Sequence, residues 1–333
     1  LEMHRILVIR IDFLGDMACT TAFLHALKQR WPQAEIHVLA NKVNRAVLER
    51  NPDVAAVHTY VYSKQCERND RPRKVNALLD RLRLVLRLRR LAFDLVIVPN
   101  GGMHKNSIQF ARQLRAKAYR WHDAETEFDD RKAEHLAHRP MRHEALSGFA
   151  LMPELAPVAP DALRLRVYPD TALQAKWETE LAPKRRPRVG LFVCNKAEQR
   201  RWATQKWHRL VEEMAERADV LIFLDPCDPN ACESFAPGLA RVLSPPTVGD
   251  LIAAMTMLDL VISADSAPVH FASALGVPVV AMFEDRPEKY LRWYPLGVPH
   301  VLLRAGPKVD DISVAQVAAA ARSLLDERVA ALP

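Results

Sequence analysis

No Asp-x-Asp pair, no His-Glu-x-x-His and no Cys-x-x-Cys occurs anywhere in the 333 residues. The first absence removes the usual carboxylate clamp for a metal-bound diphosphate. The other two remove common spacings of catalytic and structural zinc. The five cysteines (Cys19, Cys66, Cys194, Cys227, Cys232) form an odd, unclustered set, which argues against a disulfide framework and for reduced thiols in a cytosol. Glycine is scarce, at ten residues, and no Gly-x-Gly-x-x-Gly fingerprint of a dinucleotide site is present. No apolar run approaches the roughly 20 residues of a membrane-spanning helix. The longer ones, such as Leu95 to Pro99 and Val277 to Phe283, have the length of buried strands. The N-terminus runs straight into a strand pattern, so no signal peptide is expected.

What is present describes a folded protein: 49% hydrophobic and 26% charged residues, on a chain long enough for two cores. Charge is uneven. Residues 64–90 hold ten Lys and Arg against Glu67, Asp70 and Asp80, an excess equal to the net charge of +7 on the whole chain. Such a patch, with Arg71, Arg73 and Lys74 at its centre, calls for an acidic partner: a phosphorylated substrate or an anionic membrane surface. Aromatic interleaving is nearly absent there, which argues against nucleic acid.

Two series of strand-then-helix units follow one another. The first opens with the apolar run Arg5–Arg10 and predicts strands at 35–40, 54–60 and 93–99, with helices at 17–30, 43–50 and 74–91. The stretch 122–186 is irregular and proline-rich, and reads as the edge of the first domain and a linker. The pattern then restarts with strands at 188–193, 220–224, 258–263 and 277–283, and helices at 205–217, 248–257, 267–275 and 313–328. This predicts an α/β protein of two Rossmann-like, doubly wound domains, 1–170 and 171–333. Ligands are expected in a central cleft where strand ends face each other, and the last helix is expected to pack back toward the first domain.

Candidate chemistry sits after buried strands. Asp16, beside Gly15 in the loop after the first strand, is placed to act as a general base on an acceptor hydroxyl, or else to cap a helix. Asp265-Ser266-Ala267-Pro268-Val269-His270 marks a helix start whose backbone N–H groups suit a diphosphate, with Asp265 better suited to sugar hydroxyls. Here too a capped helix with a core histidine stays open. Asn195-Lys196 through Arg200-Arg201-Trp202 brings two arginines to a strand end, where they can neutralise a leaving diphosphate without a metal or form a solvated charge pair.

Together these segments resemble the lipopolysaccharide heptosyltransferases of glycosyltransferase family 9. The first strand with Gly15-Asp16, the Asp265–His270 block followed by Ala274-Leu275-Gly276-Val277-Pro278, and Arg200-Arg201-Trp202 with Trp207 carry the resemblance. It implies a GT-B fold and inverting, metal-independent transfer from ADP-heptose to the inner core of lipopolysaccharide, with no further cofactor. It implies Asp16 as the catalytic base. Asn195, Lys196, Arg200, Arg201, Asp265, Ser266, Ala267 and His270 then fall on the donor side. Gly15, Asn100, Gly101 and Lys105, with the basic residues Arg71, Arg73 and Lys74, fall on the acceptor side. The partners implied are a nucleotide sugar and an anionic, lipid-linked oligosaccharide. The place implied is the cytoplasm, with peripheral contact to the inner membrane.

Three positions depart from the family pattern, all in the donor half: Ala267 for a glycine, Asp225-Pro226-Cys227 for a glycine pair, and Glu284-Asp285-Arg286 for Gly-Pro-Thr. They keep two other classes open. One is a GT-B enzyme acting on a different nucleotide sugar, as a transferase or a 2-epimerase. The other is a non-catalytic GT-B-like binding protein.

Overall fold

The structure, a computed structural model, describes residues 2–123, 134, 141–225 and 238–331. Pro226, Cys227 and Cys232 lie outside the described residues. The chain divides into two compact units, Leu1–Pro160 and Asp161–Pro333, so the division falls at 160/161 rather than at 170/171.

The first unit is a parallel sheet of five strands: β1 (Arg5–Ile9), β2 (Glu35–Ala40), β3 (Ala56–Thr59), β4 (Leu95–Val98) and β5 (Ala118–Trp121), in the order β3-β2-β1-β4-β5. Helices α1 (Leu14–Arg30), α2 (Lys74–Arg90) and α3 (Lys105–Arg112) connect them. Residues 6–9 of β1 and all of β4 are buried, as continuous apolar runs require when helices cover both faces. The register pairs Ile6 with Ile36 on one side and with Leu95 on the other.

The second unit begins with α4 (Thr171–Leu181), which lies inside the stretch read as a linker. Asp170 caps it by accepting from the N–H groups of Ala172 and Leu173. Six parallel strands follow: β6 (Arg188–Phe192), β7 (Asp219–Phe223), β8 (Arg241–Leu243), β9 (Leu260–Ala264), β10 (Val279–Met282) and β11 (His300–Leu303). Their order, β11-β10-β9-β6-β7-β8, is the doubly wound one, in which the first strand of the unit lies beside the fourth. The helices are α5 (Thr204–Met214), α6 (Val248–Met255), α7 (Ala267–Leu275), α8 (Pro287–Trp293) and α9 (Val314–Ala330). Gly276, at φ 73°, ends α7 in the left-handed conformation that favours glycine. The buried face of α9 (Val317, Ala318, Ala321, Leu324) joins the second unit's own core with Val280, Met282 and Trp207.

Both sheets thus have a switch point, between β1 and β4 and between β6 and β9, where consecutive loops leave in opposite directions. Ligands of open parallel sheets bind there.

Candidate active site

At the first switch point Arg10 follows the last residue of β1 and is only 1% exposed. A buried cation needs partners, and here it has three carboxylates. Nε donates to Asp12 Oδ1 at 2.9 Å, Nη2 to Asp16 Oδ1 at 2.6 Å, and Nη1 and Nη2 to Glu144 Oε1 at 3.1 and 3.2 Å. The loop carrying Asp12 is clamped from below. Asn41 Nδ2 donates to the Ile11 and Asp12 carbonyls, Asn44 Nδ2 to that of Arg10, and the Tyr62 hydroxyl to that of Ile11.

The β4 loop closes the other side. Asn100 Nδ2 donates to Asp12 Oδ2 at 3.0 Å, and the Gly101 N–H to Glu144 Oε1 at 2.9 Å. A side chain at position 101 would put Cβ 2.6 Å from Glu144 Oε2, so glycine is what admits the carboxylate. Asn100 Oδ1 is buried and has no hydrogen-bond donor among the described residues. That leaves an acceptor for a ligand hydroxyl.

Asp16 differs from its expected setting. It lies in the first turn of α1, not in a loop, and it caps nothing: the N-cap position is Phe13, without a side-chain bond. Gly15 is likewise inside that helical turn and is not among the glycines of positive φ, so it makes no tight loop. Burial foremost, and then the negative charge of Asp12, lifts the Asp16 carboxyl from 3.8 to about 7, against the pull of Arg10. Burial raises Asp12 as well, while the three carboxylates together hold Arg10 above its ordinary value despite its own burial.

Other expected acceptor residues are not drawn into this cluster. Arg73 is the N-cap of α2 and Lys74 its first residue, both exposed. Arg71 bonds Asn76 Oδ1 at 2.7 Å and lines a cavity of about 290 Å³ with Lys42, Tyr60, Arg68, Arg83 and Arg87. Lys105 opens α3 and is exposed.

Three residues of the cluster carried no sequence expectation: Arg10, Asp12 and Glu144. Arg10 and Asp12 flank the predicted strand end, so the same positional reasoning reaches them. Glu144 belongs to a short 3-10 turn (Glu144–Leu146) packed against α1, within the irregular stretch.

At the second switch point the donor candidates come together in part. Asn195 Nδ2 donates to the Asp265 carbonyl at 3.2 Å, and Arg200 Nη1 reaches the same oxygen at 3.4 Å. Ser266 is the N-cap of α7; its hydroxyl makes no cap bond and instead lies 3.2 Å from Ser263 Oγ. Ala267 opens α7 beside it. Asp265 is 7% exposed. His270, one turn in, is buried with its ring 5.8 Å from that of Trp293 on α8.

The arginines are less available than the sequence suggests. Arg201 is turned onto the carbonyls of Asn195 and Lys196. Arg200 Nε lies 3.7 Å from Oε1 of Glu284, a buried carboxylate that also pairs with Arg286 at 3.5 Å. Glu284 stands at one of the departing positions, and sequence reasoning gave it no role. Lys196 is exposed. Trp202 and Trp207 meet edge-to-face at 4.8 Å in the core, and Trp202 Nε1 donates to the Ile312 carbonyl, so the block is anchored to the end of the unit.

Two doubly wound units, each with polar side chains gathered at its switch point, define the fold of the GT-B glycosyltransferases. Similar solved structures share it. A glycosyltransferase family 9 protein of Veillonella parvula aligns over 98% of both chains with a TM-score of 0.79 and 19% identity. The ADP-heptose lps heptosyltransferase II of E. coli aligns over 98% of this chain and 99% of its own, at 0.72 and 18%. Lipooligosaccharide heptosyltransferase 2 of Haemophilus ducreyi is 26% identical over 321 residues, 90% of this chain and 88% of that protein. Residues 81–311 match glycosyltransferase family 9 (heptosyltransferase), and the chain belongs to that family. It is therefore a glycosyltransferase by family.

Proposed function

We propose that this enzyme transfers a heptose from ADP-heptose to an anionic, lipid-linked acceptor of the lipopolysaccharide inner core. Transfer proceeds with inversion, without a metal ion, on the cytoplasmic face of the inner membrane. The names of the similar H. ducreyi and E. coli proteins support the sugar and the acceptor class. The observation that carries the mechanism is the Asp16 carboxyl, fixed through Oδ1 by a buried arginine at the β1 switch point.

Asp16 takes the proton of an acceptor hydroxyl while that oxygen bonds to the anomeric carbon. The bond from that carbon to the diphosphate breaks, and ADP leaves with the electron pair. A base with a pKa of about 7 is matched to neutral solution, being largely ionised at pH 8 yet still able to hold a proton. Asn100 Oδ1 accepts from a neighbouring acceptor hydroxyl and so helps orient the attacking one. Because the sequence holds no Asp-x-Asp clamp, charge on the departing diphosphate falls to Arg200, Lys196 and the backbone at the start of α7.

Glu284 favours a second reading of the donor. A buried carboxylate beside Arg200 offsets part of its charge and accepts from sugar or base donors that a Gly-Pro-Thr loop would not meet. This supports transfer from a different nucleotide sugar, and product analysis over a donor panel separates the two.

The test is calorimetric titration with ADP and with ADP-heptose in EDTA. Wild type should bind both, and Arg200→Ala should bind about tenfold or more weakly, as loss of a charge-assisted contact predicts. Failure of wild type to bind either ligand without metal would overturn the reading.

A further inference from the structure

Helix α2 is apolar on two sides. On one, Leu84, Val85 and Leu88 enter the first unit's core. On the other, Val75, Leu78, Leu79, Leu82 and Leu86 are each 42–72% exposed. Their spacings of three and four residues set them in one stripe along the helix. Single exposed aliphatics need no explanation, but a continuous row of five marks a surface that is covered in use.

The surroundings of the stripe select what covers it. Lys74, Arg83, Arg87 and Arg90 are exposed on the same helix. Its acid, Asp80, is already met by Arg83 at 3.2 Å and Arg71 at 3.6 Å. A second copy of this chain docked on the same face would set like charge against like. An anionic bilayer meets both demands: leucines enter the boundary between headgroups and acyl chains, while Lys and Arg stems reach the lipid phosphates. The helix would lie in the interface, since no described helix is long and apolar enough to cross a membrane.

We propose that α2 is an interfacial helix that docks the first unit on an anionic lipid surface through Val75, Leu78, Leu79, Leu82 and Leu86. The proposal deepens the reading of a lipid-linked acceptor and takes its purpose from it, but the lipid contact is a property of α2 itself.

The experiment is co-sedimentation of the full chain with vesicles of phosphatidylcholine alone and of phosphatidylcholine mixed with phosphatidylglycerol, at low and high salt. Two double variants are compared with wild type: Leu78→Gln with Leu82→Gln, and Arg83→Gln with Arg87→Gln. Helicity is checked by circular dichroism. Wild type should bind the phosphatidylglycerol vesicles preferentially and release with salt. Each double variant should bind about tenfold or more weakly. Leucine-variant binding equal to wild type would overturn the proposal, as would absence of vesicle binding or a leucine-dependent dimer seen by light scattering. Transfer to a lipid-free acceptor, unchanged in the leucine variant, reports on the catalytic reading separately. Vesicle binding without transfer defeats that reading alone, and transfer without vesicle binding defeats this one alone.

Discussion

Three carboxylates share one buried guanidinium, so the Arg10 cluster holds more negative charge than it neutralises. The excess is expressed at Asp16, whose folded pKa of about 7 lies above the ordinary 3.8. Between those values the folded state holds a proton that the unfolded state has lost, so this group makes stability fall as pH rises through the window. Asp16→Asn keeps an oxygen for Arg10 and removes the titration. It should match wild type near pH 4 and exceed it at pH 8 by on the order of 1–3 kcal/mol. Thermal melts at the two pH values measure this, and a variant less stable than wild type at pH 8 would contradict the charge excess. Asp16 was legible because it follows a buried strand at its carboxyl end, where parallel sheets bind ligands. Its ionic setting was not, because Glu144 reaches the site from a stretch without helix or strand periodicity. Position likewise found Arg200, whereas its pairing with Glu284 depends on a contact between separate loops that spacing does not encode.

At the scale of elements, the inner strands were readable because they are buried on both faces and therefore continuously apolar. The edge strands β5, β8 and β11 were missed: Ala118, Arg241, Val242 and His300 are exposed, and half-buried short strands carry a weak signal. Helix α4 was missed for a different reason, its position among prolines 169, 183 and 187. The basic run of α2 was visible as charge, but the exposure of its leucines was not, since the same spacing describes a helix with its apolar face in the core. The loop after β4 shows how closely an element fits its site. Gly101→Ala places a Cβ against Glu144 Oε2 and Ser147 Oγ, at 2.6 and 2.8 Å. Displacing a bonded, buried carboxylate should cost about 1–3 kcal/mol in a denaturant melt and lower kcat. Affinity for ADP, which the proposal assigns to the second unit, should stay as in wild type. Wild-type stability and kcat in this variant would show that the loop is not seated on Glu144.

For the whole molecule, the two doubly wound units carry different chemical groups at their switch points: a carboxylate cluster in one, cationic and helix-start groups in the other. The proposed mechanism puts base chemistry in the first unit and diphosphate binding in the second, so the two should be separable by mutation. The most direct test is the rate of ADP release from ADP-heptose with a lipid-free inner-core acceptor in EDTA, followed from pH 5.5 to 9 for wild type and Asp16→Asn. The predicted result is a kcat/KM that rises with pH through a midpoint near 7 in wild type. In the variant, turnover should fall by about 10²–10⁴, with ADP affinity retained. Wild-type turnover in Asp16→Asn, or a rate flat across that range, would contradict the assignment of Asp16 as the base.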